Sequence, residues 1–213
     1  MARTKERRKI VHEPSTHEIF RCLCGMPAYS KTLLENKPGK SFTDFLRWLI
    51  EVNFYNDEEG KITIKKLAAG FKTDTAKATR WINEIYQEIF ELNYDKPELF
   101  QGDGIKVTLY MKSYDNHCSF DTTIPVVPRE FETLRFPFVH GKVGIDYFWV
   151  KKVEHEIGDN SYTVTIWLEG GFLNKYREFA LDKALFQGWI GFMEIYEKHS
   201  FELDEEIKKI YRN

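Results

Sequence analysis

The sequence of residues 62–82 is ITIKKLAAGFKTDTAKATRWI, and it predicts two helices joined by a tight turn. The first helix is short, with Thr63 as its N-cap and Gly70 at the point where the backbone reverses. The second helix begins near Thr73 and carries one apolar face at helical spacing. The residues of that face are Ala78, Trp81, Ile82, Ile85, Ile89 and Leu92. Both helices therefore need a further element to cover their apolar sides.

The sequence before this pair predicts one covering helix and a basic arm. Ser41 can cap a helix whose apolar residues recur at the same spacing. These residues are Phe42, Phe45, Leu46, Leu49, Ile50 and Phe54. Residues 1–40 are basic near their start and contain Pro14, Pro27 and Pro38, so we expect an arm with at most one short helix. Three consecutive helices are therefore predicted after this arm.

The sequence beyond the helices changes from helical to alternating periodicity. Residues 105–112 alternate between apolar and polar side chains, as in a strand with one face in water. Residues 118–127 can return beside them across a turn at Asp115 and Asn116. Prolines in and just after the returning segment cannot donate a ladder hydrogen bond, which predicts an edge strand. This part of the chain is therefore interpreted as a β-hairpin.

A second hairpin is predicted further along the chain. Residues 146–157 and 162–168 are rich in β-branched and aromatic residues and flank a turn that begins at Gly158. A further reversal into residues 175–180 would extend this hairpin to an antiparallel meander. Residues 181–196 then predict an amphipathic C-terminal helix.

The helix pair of residues 62–82 resembles the helix-turn-helix of winged-helix DNA-binding proteins. With the preceding helix, the resemblance covers about residues 41–92. It implies that the helix beginning near Thr73 is a recognition helix, the element that enters the major groove. It also implies that the hairpin of residues 105–127 is the wing, with Lys112, Tyr114, Asn116 and His117 near its tip. The alternative is that these strands belong to the sheet of the rear half of the chain.

The predicted fold class is α+β, with an N-terminal three-helix winged-helix-like unit followed by an antiparallel β-rich domain and a C-terminal helix. The domains expected are a basic arm of residues 1–40, a winged-helix-like domain of residues 41–128, and a meander with a C-terminal helix of residues 129–213. Aromatic residues are frequent in the last of these, mostly at core spacing. We expect that domain to bind a protein partner or to self-associate.

The charge distribution favours an anionic partner for the front of the chain. Residues 1–80 contain 16 basic and 10 acidic side chains, whereas residues 81–213 contain 15 and 23. We expect double-stranded DNA as that partner. Lys65, Lys66 and Lys72 would contact phosphates, while Thr75, Lys77 and Arg80 would reach the major groove. The basic arm would add contacts from Arg7 and Arg8.

An alternative interpretation keeps the same helices but changes their partner. Glu84, Glu88 and Glu91 make the predicted recognition helix acidic beyond Arg80, so only its first half could approach phosphates. A three-helix bundle that serves protein contacts is compatible with the same pattern. The protein would then be an interaction or structural component, for example of a phage or mobile element.

Several function classes are disfavoured by the composition. The sequence has no run of about 18 apolar residues, which predicts no membrane span. Its three cysteines and its lack of a secretory signal predict a cytoplasmic protein. His12, His17, Cys22 and Cys24 have metal-ligand side chains but not the spacing of a structural zinc site, so no metal or cofactor is predicted. With no catalytic motif recognised, we expect a non-enzymatic transcriptional regulator or accessory factor.

Overall fold

The computed structural model of the protein describes residues 9–56, 62–159 and 161–212. They divide into two compact units, one of residues 12–171 and the other of residues 9–11 with 172–212. The larger unit contains α1 (Thr16–Cys24), α2 (Pro27–Asn36), α3 (Thr43–Glu51), α4 (Ile64–Gly70), α5 (Thr75–Asp95) and α6 (His140–Val143). Its strands are β1 (Ile105–Ser113), β2 (Asn116–Ile124), β3 (Thr133–Arg135), β4 (Tyr147–Ile157) and β5 (Tyr162–Gly170). The smaller unit contains α7 (Lys175–Phe186), α8 (Glu194–Glu197) and α9 (Ser200–Arg212).

The predicted helix pair is present as α4 and α5, with two corrections to its ends. Thr63 caps α4 as predicted, since its side chain accepts a hydrogen bond from the N–H of Lys66. Helix α5 begins at Thr75 rather than at Thr73, and the carboxylate of its N-cap, Asp74, accepts from the N–H of Lys77 at 2.7 Å. The residue with a left-handed backbone in the turn is Lys72, at φ +57°, and not Gly70. The reversal therefore takes place two residues later than the sequence indicates.

Residues 12–40 are not an arm, because two helices there belong to the core. Ser15 begins α1 with a complete capping box, in which Ser15 and Glu18 bond each other's backbone. Pro27 is at the start of α2, where its missing N–H costs no helical hydrogen bond. Phe20 and Leu33 are completely buried. The prolines that suggested an irregular arm therefore mark helix boundaries.

The first of the three predicted helices, α3, also differs in its start. Ser41 does not cap α3, which begins at Thr43 after Phe42 and has no side-chain cap. The hydroxyl of Ser41 instead accepts a hydrogen bond from Nε1 of Trp81 at 3.1 Å. Ser41 thus connects the entry of α3 to α5 rather than starting a helix.

The strands of the larger unit form one five-stranded mixed sheet in the order β2-β1-β5-β4-β3. The two predicted hairpins are present as the antiparallel pairs β1–β2 and β4–β5, and β2 is an edge strand as predicted. The sheet is not wholly antiparallel, because β1 pairs with β5 in parallel from Val107 to Lys112. The boundary expected between residues 128 and 129 therefore falls inside one sheet, and both hairpins share one core.

The smaller unit departs most from the sequence interpretation. Residues 175–180, expected to be a strand, form the first half of α7, which Asn174 caps through its side chain. A small apolar core of Ala180, Ala184, Ile190, Leu203 and Ile207 connects α7 to α9. Together, helices at the front, a mixed sheet and a C-terminal helix confirm the α+β class.

Candidate nucleic-acid interface

The helix pair α4–α5 separates apolar from basic side chains as its sequence predicts. Leu67, Ala68, Ala78, Trp81 and Ile82 are buried. The polar candidates all lie on the opposite side and are exposed, namely Lys65, Lys66, Lys72, Thr75, Lys77 and Arg80. We call these six residues the basic surface. Its side chains come from α4, from the turn and from the first two turns of α5.

Trp81 fixes the rotation of α5 under the basic surface. Its ring centroid lies 5.2 Å from that of Phe45 and 5.8 Å from that of Phe71, and its Nε1 donates to Ser41. The indole is therefore held by two rings and one hydrogen bond. Lys77 Nζ lies 4.7 Å from the ring centroid on the outer side, close enough for a cation–π contact.

Gly70 serves close packing between α3 and α4. A Cβ at this position would lie 2.9 Å from the ring of Trp48. A larger residue would therefore collide with the indole of Trp48. The backbone conformation of Gly70 does not itself require glycine. The ring of Trp48 also lies 5.5 Å from that of Phe71, which links the turn to α3.

The basic surface carries little negative charge of its own. Residues 62–80 contain five basic side chains and one acidic side chain, Asp74, whose carboxylate caps α5. Within the described ranges, no carboxylate lies within ion-pair distance of Lys65, Lys72 or Arg80. Cations at the start of a helix also add to the positive end of its dipole. Residues 62–80 therefore have a net positive charge.

The second half of α5 is acidic in sequence but partly neutralised in the fold. The two oxygens of Glu88 lie 2.6 Å from Nζ of Lys37 and of Lys40. Burial raises the pKa of the Glu88 carboxyl, but the two ammonium groups outweigh it and hold the pKa below its usual value. Glu84 accepts a hydrogen bond from Ser41 at 3.4 Å, and Glu91 stays exposed.

The hairpin β1–β2 is not a free wing, although it follows the helix pair in the expected order. Its inner strand, β1, has β5 as its other neighbour, so the hairpin is part of the sheet. The side chain of Asn93 exchanges two hydrogen bonds with the backbone of Asp121, at 2.8 and 2.9 Å, and ties β2 to α5. At the tip, Asn116 accepts from the N–H of His12 at 2.9 Å. Lys112, Tyr114 and His117 are exposed there.

Two predicted DNA contacts, Arg7 and Arg8, lie outside the described residues. Burial raises the pKa of the Cys118 thiol to about 12, so it is protonated at neutral pH and a poor nucleophile. Cys22 is buried on α1, where its sulfur accepts from the N–H of Gly141 at 3.2 Å.

Among the described residues, no helix is long and apolar enough to cross a bilayer.

A cluster of His12, Glu18 and His140 was missed by the sequence interpretation. One ring nitrogen of each histidine and one carboxylate oxygen of Glu18 lie within 4.8 Å of one another. The imidazole rings are edge to face, with centroids 5.6 Å apart. No local spacing could have revealed this cluster, because His140 is more than 100 residues from its partners.

Comparisons of the chain with protein-family models, with curated proteins and with solved structures found no match.

Proposed function

We propose that this protein is a non-enzymatic, cytoplasmic DNA-binding protein, a transcriptional regulator or an accessory factor, that contacts duplex DNA through its basic surface. The observation that carries the proposal is the exposure of all six polar candidates above a buried apolar layer. A bundle that used α4 and α5 only for its own packing would not need five cations on one exposed side. The winged-helix resemblance gives the same elements the same role.

The basic surface divides into two groups of contacts. Lys65, Lys66 and Lys72 are flexible point charges on α4 and the turn, suited to phosphates whatever the base sequence. Thr75, Lys77 and Arg80 lie on the first turns of α5, the part of a recognition helix that reaches base edges. Arg80 has the fork of donors that matches guanine O6 and N7. Affinity and sequence preference should therefore depend on different side chains.

The experiment is a fluorescence-anisotropy titration of the full chain against a selected duplex and a scrambled duplex of equal length. Lys65→Ala with Lys66→Ala should weaken binding to both duplexes about equally. Arg80→Ala should cost about 1–3 kcal/mol on the selected duplex and much less on the scrambled one. The matched control is Lys31→Ala with Lys106→Ala, two exposed lysines on α2 and β1 that remove the same charge elsewhere.

The control decides between specific contact and general attraction. Equal losses in the Lys65/Lys66 and Lys31/Lys106 variants would mean that only net charge matters and would contradict the proposal. If neither the lysine pair nor Arg80 affects affinity at low salt, the helix pair is not a DNA-binding surface.

A second candidate function is a protein interaction through residues 172–212. Large aromatic side chains are exposed there at fractions well above half, at Phe172, Tyr176, Phe179, Phe186, Phe192 and Tyr196. Aromatic side chains are enriched in protein–protein interfaces. We therefore propose that this unit binds a protein partner or a second copy of the chain. Sedimentation equilibrium of the full chain tests the second possibility, and a concentration-independent monomer would remove it.

A further inference from the structure

Two imidazoles and one carboxylate meet where three separate chain segments come together. His12 belongs to the segment before α1, Glu18 to the first turn of α1, and His140 to the start of α6. We propose that His12, Glu18 and His140 bind a divalent transition-metal cation of the zinc type. This inference is independent of DNA binding, because none of the three residues belongs to the basic surface.

The donor set selects the class of metal. Imidazole nitrogen and carboxylate oxygen are ordinary zinc ligands, and two histidines with one glutamate leave a fourth position open. Calcium and magnesium prefer sites made of oxygen atoms alone, so the two histidines select against them. The side chains of Glu18 and His140 are 38% and 35% exposed, which leaves room for a water molecule or another small ligand at the open position.

Glu18 is oriented by its role in the helix cap. Its Oε2 accepts hydrogen bonds from the backbone N–H and the hydroxyl of Ser15, both at 2.7 Å. The other oxygen, Oε1, is directed towards His140 and lies 3.5 Å from its Nε2. Partners of this kind fix the orientation of a metal-binding carboxylate. The capping box therefore holds one ligand in place before any metal arrives.

One ring nitrogen of His12, Nε2, is buried. Among the described residues, none offers a hydrogen bond to the buried Nε2 of His12. A buried polar atom without a partner costs free energy, so the structure gains when a ligand reaches it. Gly144 makes room for the ring, since a Cβ there would lie 2.9 Å from Cγ of His12, and its φ of +78° also favours glycine.

The three ligand atoms need only a small closure. Zinc bonds of about 2.0–2.2 Å in tetrahedral geometry place ligand atoms roughly 3.3–3.5 Å apart. The Glu18–His140 pair, at 3.5 Å, already fits this spacing. All three ligand atoms lie within 4.8 Å of one another, and modest side-chain rotations would bring them to the spacing of a zinc site. Bound metal would then tie the segment before α1 to α6.

Titration calorimetry of zinc binding to the full chain tests the proposal. The chain is first freed of metal with a chelator. The wild type should bind one zinc ion per chain, and its Tm should rise with zinc concentration. His12→Ala and His140→Ala should each weaken zinc affinity at least about tenfold and reduce the rise in Tm. His17→Ala is the control, since it removes an exposed histidine next to Glu18 but outside the cluster.

Two further variants keep the test informative if an alanine variant fails to fold. Glu18→Gln keeps an oxygen for the Ser15 cap but loses the charge, so zinc affinity should fall while circular dichroism stays unchanged. Gly144→Ala should lower zinc affinity by displacing the ring of His12. The proposal would be overturned if the wild type did not bind zinc, or if the His12 and His140 variants kept wild-type affinity. An equal loss of affinity in His17→Ala would also overturn it.

Discussion

The two ends of α5 have opposite surroundings within one continuous helix. In its first turn Thr75, Ala76 and Lys77 are all exposed, and only the side facing α3 and α4 is covered. In the segment from Ile85 to Asn93, seven of nine residues are buried, as α5 packs against α1, α2 and β2. The helix is therefore largely exposed to solvent at one end and a core element at the other. Charge alone does not show this, because the enclosed segment contains the carboxylates of Glu88 and Glu91.

The largest difference expected between the two ends is in stability. Ile89→Ala should lower the free energy of unfolding by about 2–5 kcal/mol, because Ile89 is fully buried and its removal leaves a cavity. Lys77→Ala should change it by no more than about 0.5 kcal/mol, since the side chain is exposed. Urea unfolding followed by circular dichroism measures both. Similar losses in the two variants would mean that the first turns of α5 also belong to the core.

A smaller loss of stability is expected when the charge of Glu88 is removed from the second half of α5. Glu88→Gln should cost about 1–3 kcal/mol at pH 7, because Lys37 and Lys40 lose their shared anion. Because the folded-state pKa of Glu88 lies below its usual value, the ion pairs stabilise the fold above the usual glutamate pKa of about 4.3. This stability is lost as pH falls through the folded-state pKa.

The free energy of unfolding of the wild type and of Glu88→Gln, measured at a series of pH values, tests the direction of this pH dependence. The two stabilities should converge as the pH falls below about 4. A gap that stays constant down to pH 3, or that widens in acid, would show that the carboxylate of Glu88 is not what Lys37 and Lys40 stabilise.

A smaller effect still concerns salt dependence at the two ends. Lys77→Ala should reduce the slope of log affinity against log salt by about 0.9 if Lys77 replaces one counterion on DNA. Glu91→Gln, at the other end, should leave that slope unchanged because Glu91 lies outside the proposed DNA-binding surface. Titrations of both variants between about 50 and 200 mM salt make the measurement. A change of slope in Glu91→Gln would place the DNA along the whole helix.

The smallest effect is expected from removing the C-terminal unit. A chain ending at Gly171 should bind DNA with nearly unchanged affinity, because residues 172–213 contain seven basic and eight acidic side chains. The cut also leaves the five-stranded sheet intact. Anisotropy titrations of the two chain lengths compare them directly. A large loss on truncation would show that DNA binding needs the C-terminal unit.

The parts of the fold that the sequence predicts are those whose signals are local. The apolar face from Ala78 to Leu92 has one period over several turns, and it indicates which side of α5 is buried. Residues 105–112 and 162–168 alternate cleanly and are strands. Helix α7 shows the opposite case, since its apolar and polar residues are not segregated to two faces and its N-cap, Asn174, is the clearer signal.

The features that the sequence could not predict depend on distant residues. Pro27 is compatible with a loop or with the start of a helix, and only the burial of Leu33 in the core decides for a helix. The parallel pairing of β1 with β5 follows from how the sheet assembles, and alternation in either strand cannot reveal its neighbour. The proximity of His12 to His140 likewise follows from the assembled fold and has no local signal in the sequence.

The parallel contact between β1 and β5 also has a consequence for synthesis of the chain. Ribosomes add about 5–20 residues per second, so β5 is completed roughly 3–11 s after β1. During this interval the nascent chain carries a hairpin whose inner strand has one unpaired edge. A native contact between strands so far apart in the sequence also slows folding, because the chain between them must close into a loop first. A chaperone that shields this edge would therefore act on the nascent chain after the helices and β1–β2 have emerged and before Gly170 has.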